Sequence, residues 1–94
     1  MAEPAFAGRQ VVDAQTKMYF VYAIKSLLRN YVYIGISDNV DRRFQEHNSG
    51  HNKTTKPNKP FKIILTESYN DRPTAREREK KLKSGSGREF LKNI

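Results

Sequence analysis

Met18-Tyr19-Phe20-Val21-Tyr22-Ala23-Ile24 and, after a polar interruption from Lys25 to Asn30, Tyr31-Val32-Tyr33-Ile34-Gly35-Ile36 are the stretches on which the reading of the fold turns. Aromatic and β-branched residues suit a pleated, half-buried surface, and two such runs joined by a short connection predict an antiparallel hairpin. Alternation places Phe20, Tyr22 and Ile24 on one face together with Tyr31, Tyr33 and Gly35. It leaves Val21 and Ala23 beside Val32, Ile34 and Ile36 on the other, which is the expected core side. A turn centred between Leu27 and Leu28 sets Tyr22 opposite Tyr33.

Beyond the hairpin, Ser37-Asp38-Asn39 offers capping oxygens, Val40 and Phe44 recur four apart, and Gly50 follows Asn48-Ser49. Together these predict a helix of about ten residues. His51 to Pro60 reads as a basic loop with Lys53, Lys56 and Lys59 at every third position. Phe61 to Tyr69 reads as a third strand, and its central Ile63-Ile64-Leu65 suggests an interior position in the sheet. Asp71-Arg72-Pro73 opens a helix running to Lys83, with Thr74 and Glu77 at capping-box spacing. Gly85 ends it, and Ser86 and Glu89 repeat the spacing before a short last helix with Phe90, Leu91 and Ile94 on its apolar side. The order β-β-α-β-α-α predicts an α+β fold, a small sheet with helices packed on it. Residues 1 to 16 show no period and read as a flexible leader.

The 94 residues carry 18 Lys and Arg against 10 Asp and Glu, a net charge of +8. The length leaves no room for a large multi-substrate enzyme, and the charge fits phosphate-rich partners. A membrane surface is the weaker alternative, because no long amphipathic helix sets aromatic residues opposite a basic face. With no Cys, disulfides, thiolate catalysis and Cys-ligated zinc are excluded. His47 and His51 stand four apart, but Ser49 and Gly50 between them stop the helix before a metal pair can form. There is neither an apolar run of about 20 residues nor a signal-peptide pattern, so a soluble, cytoplasmic protein is expected.

Arg43 and His47 share a helical face beside the Val40–Phe44 stripe, so docking of that stripe tips them toward the sheet. Glu79 lies within Arg76-Glu77-Arg78-Glu79-Lys80-Lys81 yet shares a face with Ala75 and Leu82, an unusual place for a carboxylate. Glu77 is the expected capping or solvent-facing acid.

In order and spacing, Phe20-Val21-Tyr22, Tyr33-Ile34-Gly35, Arg43, His47 and Glu79 resemble the GIY-YIG endonuclease superfamily. Supporting stretches are Asn39 to Phe44, Glu46 to Gly50 and Arg78 to Arg88, and they are similar to the small standalone bacterial members related to the nuclease subunit of nucleotide-excision repair. The resemblance implies a three-stranded antiparallel sheet flanked by helices over residues 17–94. It implies a metal-dependent endonuclease that hydrolyses DNA phosphodiester bonds with low inherent sequence specificity, in DNA repair or recombination. Tyr22 and Tyr33 match the motif tyrosines, Arg43 the arginine, His47 the histidine one turn on, and Glu79 the metal-binding glutamate.

A single carboxylate suits Mg²⁺, with Mn²⁺ as substitute. Tyr22 is the expected base, its phenolate favoured by the guanidinium and the metal-bound water, with His47 as relay and Tyr33 as positioner; the reverse assignment of the tyrosines stays open. Two departures stand out. The first motif lacks its Gly and Ile, and position 91 is Leu where many members have Asn, with Asn93 nearby but displaced. Lys53, Lys56, Lys59, Lys62, Arg76, Arg78, Lys80, Lys81, Lys83 and Arg88 are expected to meet the nucleic-acid backbone. The alternative is a non-catalytic nucleic-acid-binding module, a nuclease relic or adaptor. Nothing in the sequence sets the oligomeric state.

Overall fold

A computed structural model describes residues 18–94, so the expected leader at residues 1 to 16 lies outside the described residues. The elements are β1 (Tyr19–Ser26), β2 (Val32–Ser37), α1 (Val40–Ser49), a 3₁₀ turn (Lys56–Asn58), β3 (Phe61–Tyr69), α2 (Arg72–Lys83) and α3 (Gly85–Lys92). The three strands form one antiparallel sheet in the order β2-β1-β3.

The first strand is therefore the central one, and its Val21, Tyr22, Ala23 and Ile24 are at most 1% exposed. β3 takes an edge, which corrects the interior position expected from Ile63-Ile64-Leu65. The reason is a bulge: Ala23 pairs with Leu65 and Ile24 with Ile63, leaving Ile64 as the extra residue. A bulge lets consecutive residues serve one face, so Ile64 and Leu65 both pack against the same core. The apolar run thus reflects a local irregularity rather than burial on both sides.

The hairpin register also differs from expectation. Tyr22 pairs with Gly35, and Tyr33 with Ile24. Ser26 causes the shift: its Oγ accepts from the amides of Leu28 and Arg29, and its own amide donates to Tyr31, which moves the turn onward. The partner changes by two residues, an even number, so every side chain keeps its predicted face. Val21, Ala23 and Ile34 pack with Ala75, Leu82 and Leu91 of α2 and α3. Tyr22, Ile24 and Phe61 pack on the other side with Tyr31, Tyr33, Val40 and Phe44, so α1 covers the tyrosine face.

The cap of α1 is as expected: Asn39 accepts from the Arg42 amide, and Gly50 closes the helix at φ +86°, where a side chain would be strained. The later caps fall elsewhere than the capping-box spacings suggested. Asp71, not Thr74, caps α2, and Ser84, not Ser86, both ends α2 and caps α3 by accepting from the Gly87 amide. Both residues have extended backbone just before the first helical turn, which a cap requires. Among the described residues no helix is long and apolar enough to cross a membrane.

Candidate functional site

The pairing of Tyr22 with Gly35 builds the centre of the site. A Cβ at position 35 would lie 2.8 Å from the Tyr22 hydroxyl oxygen and 3.0 Å from Cζ, so the phenol occupies the space that the missing side chain leaves. Because the ring is buried and rigid, Gly35→Ala is expected to force the phenol aside. Overpacking of this kind costs about 1–3 kcal/mol. Urea unfolding checks it, and unchanged stability would mean that the ring has room to move.

From Tyr22 a buried chain of hydrogen bonds leads away from the sheet. Tyr22 Oη lies 3.0 Å from His47 Nε2, and His47 Nδ1 lies 2.8 Å from Thr55 Oγ1. The Thr55 hydroxyl donates to the Asn52 carbonyl, 3.4 Å away. His47 and Thr55 are both fully buried. A carbonyl can only accept, so with the Thr55 proton directed to Asn52 the whole chain runs one way. Thr55 Oγ1 then accepts from Nδ1–H, Nε2 is left as acceptor, and Tyr22 donates its proton to Nε2. His47 is thereby assigned the Nδ1–H tautomer.

The electrostatics agree. Burial first, and then the charge of Arg43, holds the His47 pKa below the ordinary imidazole value, so the ring is neutral at pH 7. Burial, reinforced by Tyr33, raises the Tyr22 pKa against the opposing pull of Arg43. The guanidinium does favour the phenolate, as the sequence suggests, but desolvation outweighs it. Tyr33 is half-buried, and its ring lies 4.8 Å from the His47 ring centre.

Arg43 follows from α1 as predicted, and one of its guanidinium nitrogens donates to Glu46 Oε1 at 2.7 Å. It lines a shallow cleft of about 340 Å³ with Tyr19, Ile36, Ser37, Asp38, Arg42 and Arg72. Three arginines converge there beside one carboxylate, with Arg42 3.4 Å from Asp38 and 3.7 Å from Glu46. Tyr22, Tyr33, Arg43 and His47 are thus brought together.

Glu79 is on α2, whose Ala75 and Leu82 pack on the opposite face of the sheet. Its side chain is 16% exposed and accepts from Lys83 Nζ at 3.1 Å. Among the described residues no three His, Asp or Glu side chains converge as metal ligands. Mg²⁺ tolerates a single carboxylate when waters and phosphate complete its shell, so Glu79 fits as a lone protein ligand and only in that way.

The basic residues separate into groups. Lys53, Lys56 and Lys59 lie on the loop after α1; Arg76, Lys80, Lys81 and Lys83 on α2; Lys62 and Arg88 on the face beneath α3. Arg78 is not free for a phosphate: its guanidinium donates to both Glu67 oxygens at 2.8 and 3.0 Å, and Tyr69 donates to the same carboxylate. These bonds hold the Glu67 pKa below its usual value. Sequence reasoning missed Thr55, Glu46, Arg72 and Lys25. Glu46 stands three residues from Arg43, a legible pairing signal; a threonine in a lysine-rich loop carries none.

A three-stranded antiparallel sheet with a Tyr over the Gly of Tyr-Ile-Gly, joined to a His and an Arg from the following helix, defines a nuclease-superfamily fold. The chain belongs to the GIY-YIG family, whose catalytic domain matches residues 18–93. It is homologous to UPF0213 proteins. It is 32% identical over 77 residues to the UPF0213 protein SH2523 of Staphylococcus haemolyticus, covering 81% of this chain and 93% of that protein. It is 33% identical over 67 residues to the UPF0213 protein NP_0776A of Natronomonas pharaonis, covering 70% and 78%. No solved structure matches the chain significantly.

Proposed function

We propose that the protein is a nucleic-acid-binding module of the GIY-YIG family, with DNA as its main partner. The observation that carries this reading is the convergence of Arg42, Arg43 and Arg72 on one cleft at the edge of the sheet, in a chain of net charge +8. Guanidinium forks match phosphate oxygens, so the contacts favour backbone over base sequence.

Metal-dependent hydrolysis of phosphodiester bonds is the second reading, favoured by the orientation of the Tyr22 proton toward His47 beside Arg43. Glu79 would then hold Mg²⁺ or Mn²⁺, which when bound would neutralise charge on the phosphate. Tyr22 is enclosed while Tyr33 is half-buried, so on this reading Tyr33 is the phenol that meets a substrate-side water, and His47 fixes Tyr22. Action in the cytoplasm, in DNA repair or recombination, belongs to this second reading.

Fluorescence anisotropy with linear, branched and single-stranded DNA, followed by gels after incubation in Mg²⁺ or Mn²⁺, separates the two. Binding is expected to weaken by about a hundredfold or more between 50 and 200 mM salt, with the DNA intact. Absence of binding at 50 mM salt would overturn the module. Cleavage abolished by Glu79→Ala and Tyr33→Phe would put the hydrolase in its place.

A further inference from the structure

On the face of the sheet opposite Tyr22 and His47 lies a pocket of about 570 Å³ between the strands and α3. Its volume is that of a small-ligand site. Four cations, Lys25, Lys62, Arg88 and Lys92, line it against one carboxylate, Glu89. Lys25 and Lys62 are direct partners across β1 and β3, and like charges directly opposite on neighbouring strands repel. Lys25, Lys62 and Arg88 make no salt bridge among the described residues, and Lys92 reaches Glu89 only at 4.0 Å on the surface.

Between these cations the pocket is apolar, with Val32, Ile64 and the buried Leu91. A phosphate relieves the built-in repulsion, and a flat ring covers the apolar part. One chemical unit supplies both, a nucleotide. Apolar contact with Val32, Ile64 and Leu91 reads no base edge and so carries little sequence information.

We propose that this pocket is a second nucleic-acid subsite, taking one nucleotide of an unpaired strand with its phosphate between Lys25, Lys62 and Arg88 and its base against Val32, Ile64 and Leu91. The proposal rests on the nucleic-acid-binding reading and extends it to a second contact with the strand. The cleft with Arg43 and Arg72 opens at the edge of the sheet, and this pocket lies on the face that α2 and α3 cover.

The test is an amide NMR titration of the full chain with 5′-phosphorylated tetrathymidylate and, separately, with thymidine monophosphate. The tetranucleotide is expected to shift the amides of Lys25, Val32 and Leu91. The double variant Lys62→Gln, Arg88→Gln removes surface charge only; it should bind about tenfold more weakly, with a log–log salt slope smaller by roughly one to two. Arg72→Gln should leave the pocket shifts in place. Shifts confined to Ser37, Asp38 and Arg43 would overturn the pocket while leaving the binding module standing. Loss of every shift would overturn both. Pocket shifts from the mononucleotide without any from the tetranucleotide would overturn the strand assignment in favour of a free nucleotide.

Discussion

Gly87→Ala is expected to lower the midpoint of thermal unfolding by roughly 12–24 °C, corresponding to about 3 kcal/mol in a domain of this size. Gly87 is buried in the first turn of α3, where its amide donates to the Ser84 cap. A Cβ there would run into the Lys81 carbonyl oxygen and the backbone of Leu82. These are main-chain atoms in the last turn of α2, so no flexible side chain can yield, and relief requires α3 to lift from α2. Lifting exposes Leu82 and Leu91, two members of the core cluster on that face. Overpacking typically costs 1–3 kcal/mol, and a contact that can relax only through helix displacement belongs at the upper end or beyond. Gly85→Ala is the control, since nothing lies within 4 Å of its added Cβ. Calorimetry of both variants decides it: equal midpoints within about 3 °C of the parent would show that the helices are not in backbone contact.

The same helix junction illustrates what could be read in advance. Helices, strands and their faces were legible because period-2 and period-3.6 patterns are local. Tyr22 and Tyr33 share a face in every register that differs by an even number of residues, and Val40, Phe44 and His47 share a side of α1 however the helix docks. Long-range geometry was not legible. The register depended on the Ser26 hydroxyl capping the turn, and the edge position of β3 on a bulge at Ile64. The cap of α3 depended on which of two serines, Ser84 or Ser86, held extended backbone. Within the site, the face of Glu79 was visible in its spacing from Ala75 and Leu82. That its helix packs through Ala75 and Leu82 on the far side of the sheet was not, because spacing along one helix says nothing about which sheet face that helix covers.

Thr55→Val should cost about 1–3 kcal/mol although it barely changes volume, because it strands a buried donor. The valine can neither accept from His47 Nδ1–H nor donate to the Asn52 carbonyl, and no water reaches two fully buried groups. Thr55→Ser keeps both bonds and should restore most of the loss. The same chain sets a pH dependence. His47 has a folded pKa below its unfolded value near 6.5, caused by burial and then by Arg43, with Glu46 opposing. In the window just below 6.5 the unfolded chain binds more protons, so stability rises with pH there. The contribution is complete above the unfolded pKa and is lost as pH falls toward the folded one. Tyr22 and Thr55 face the two ring nitrogens, and Tyr33 and Phe61 pack against the ring, while the charges of Arg43 and Glu46 act on it from α1. Urea unfolding at pH 7.5, 6.5 and 5.5 should show the parent losing stability on acidification and His47→Gln losing less. Nitrogen-15 shifts of the ring should report Nδ1–H in the parent and Thr55→Ser, and a mixture of tautomers in Thr55→Val. A parent profile as flat as that of His47→Gln, or an Nε2–H ring in the parent, would mean that the Tyr22 proton is not aimed at His47 and that the chain runs the other way.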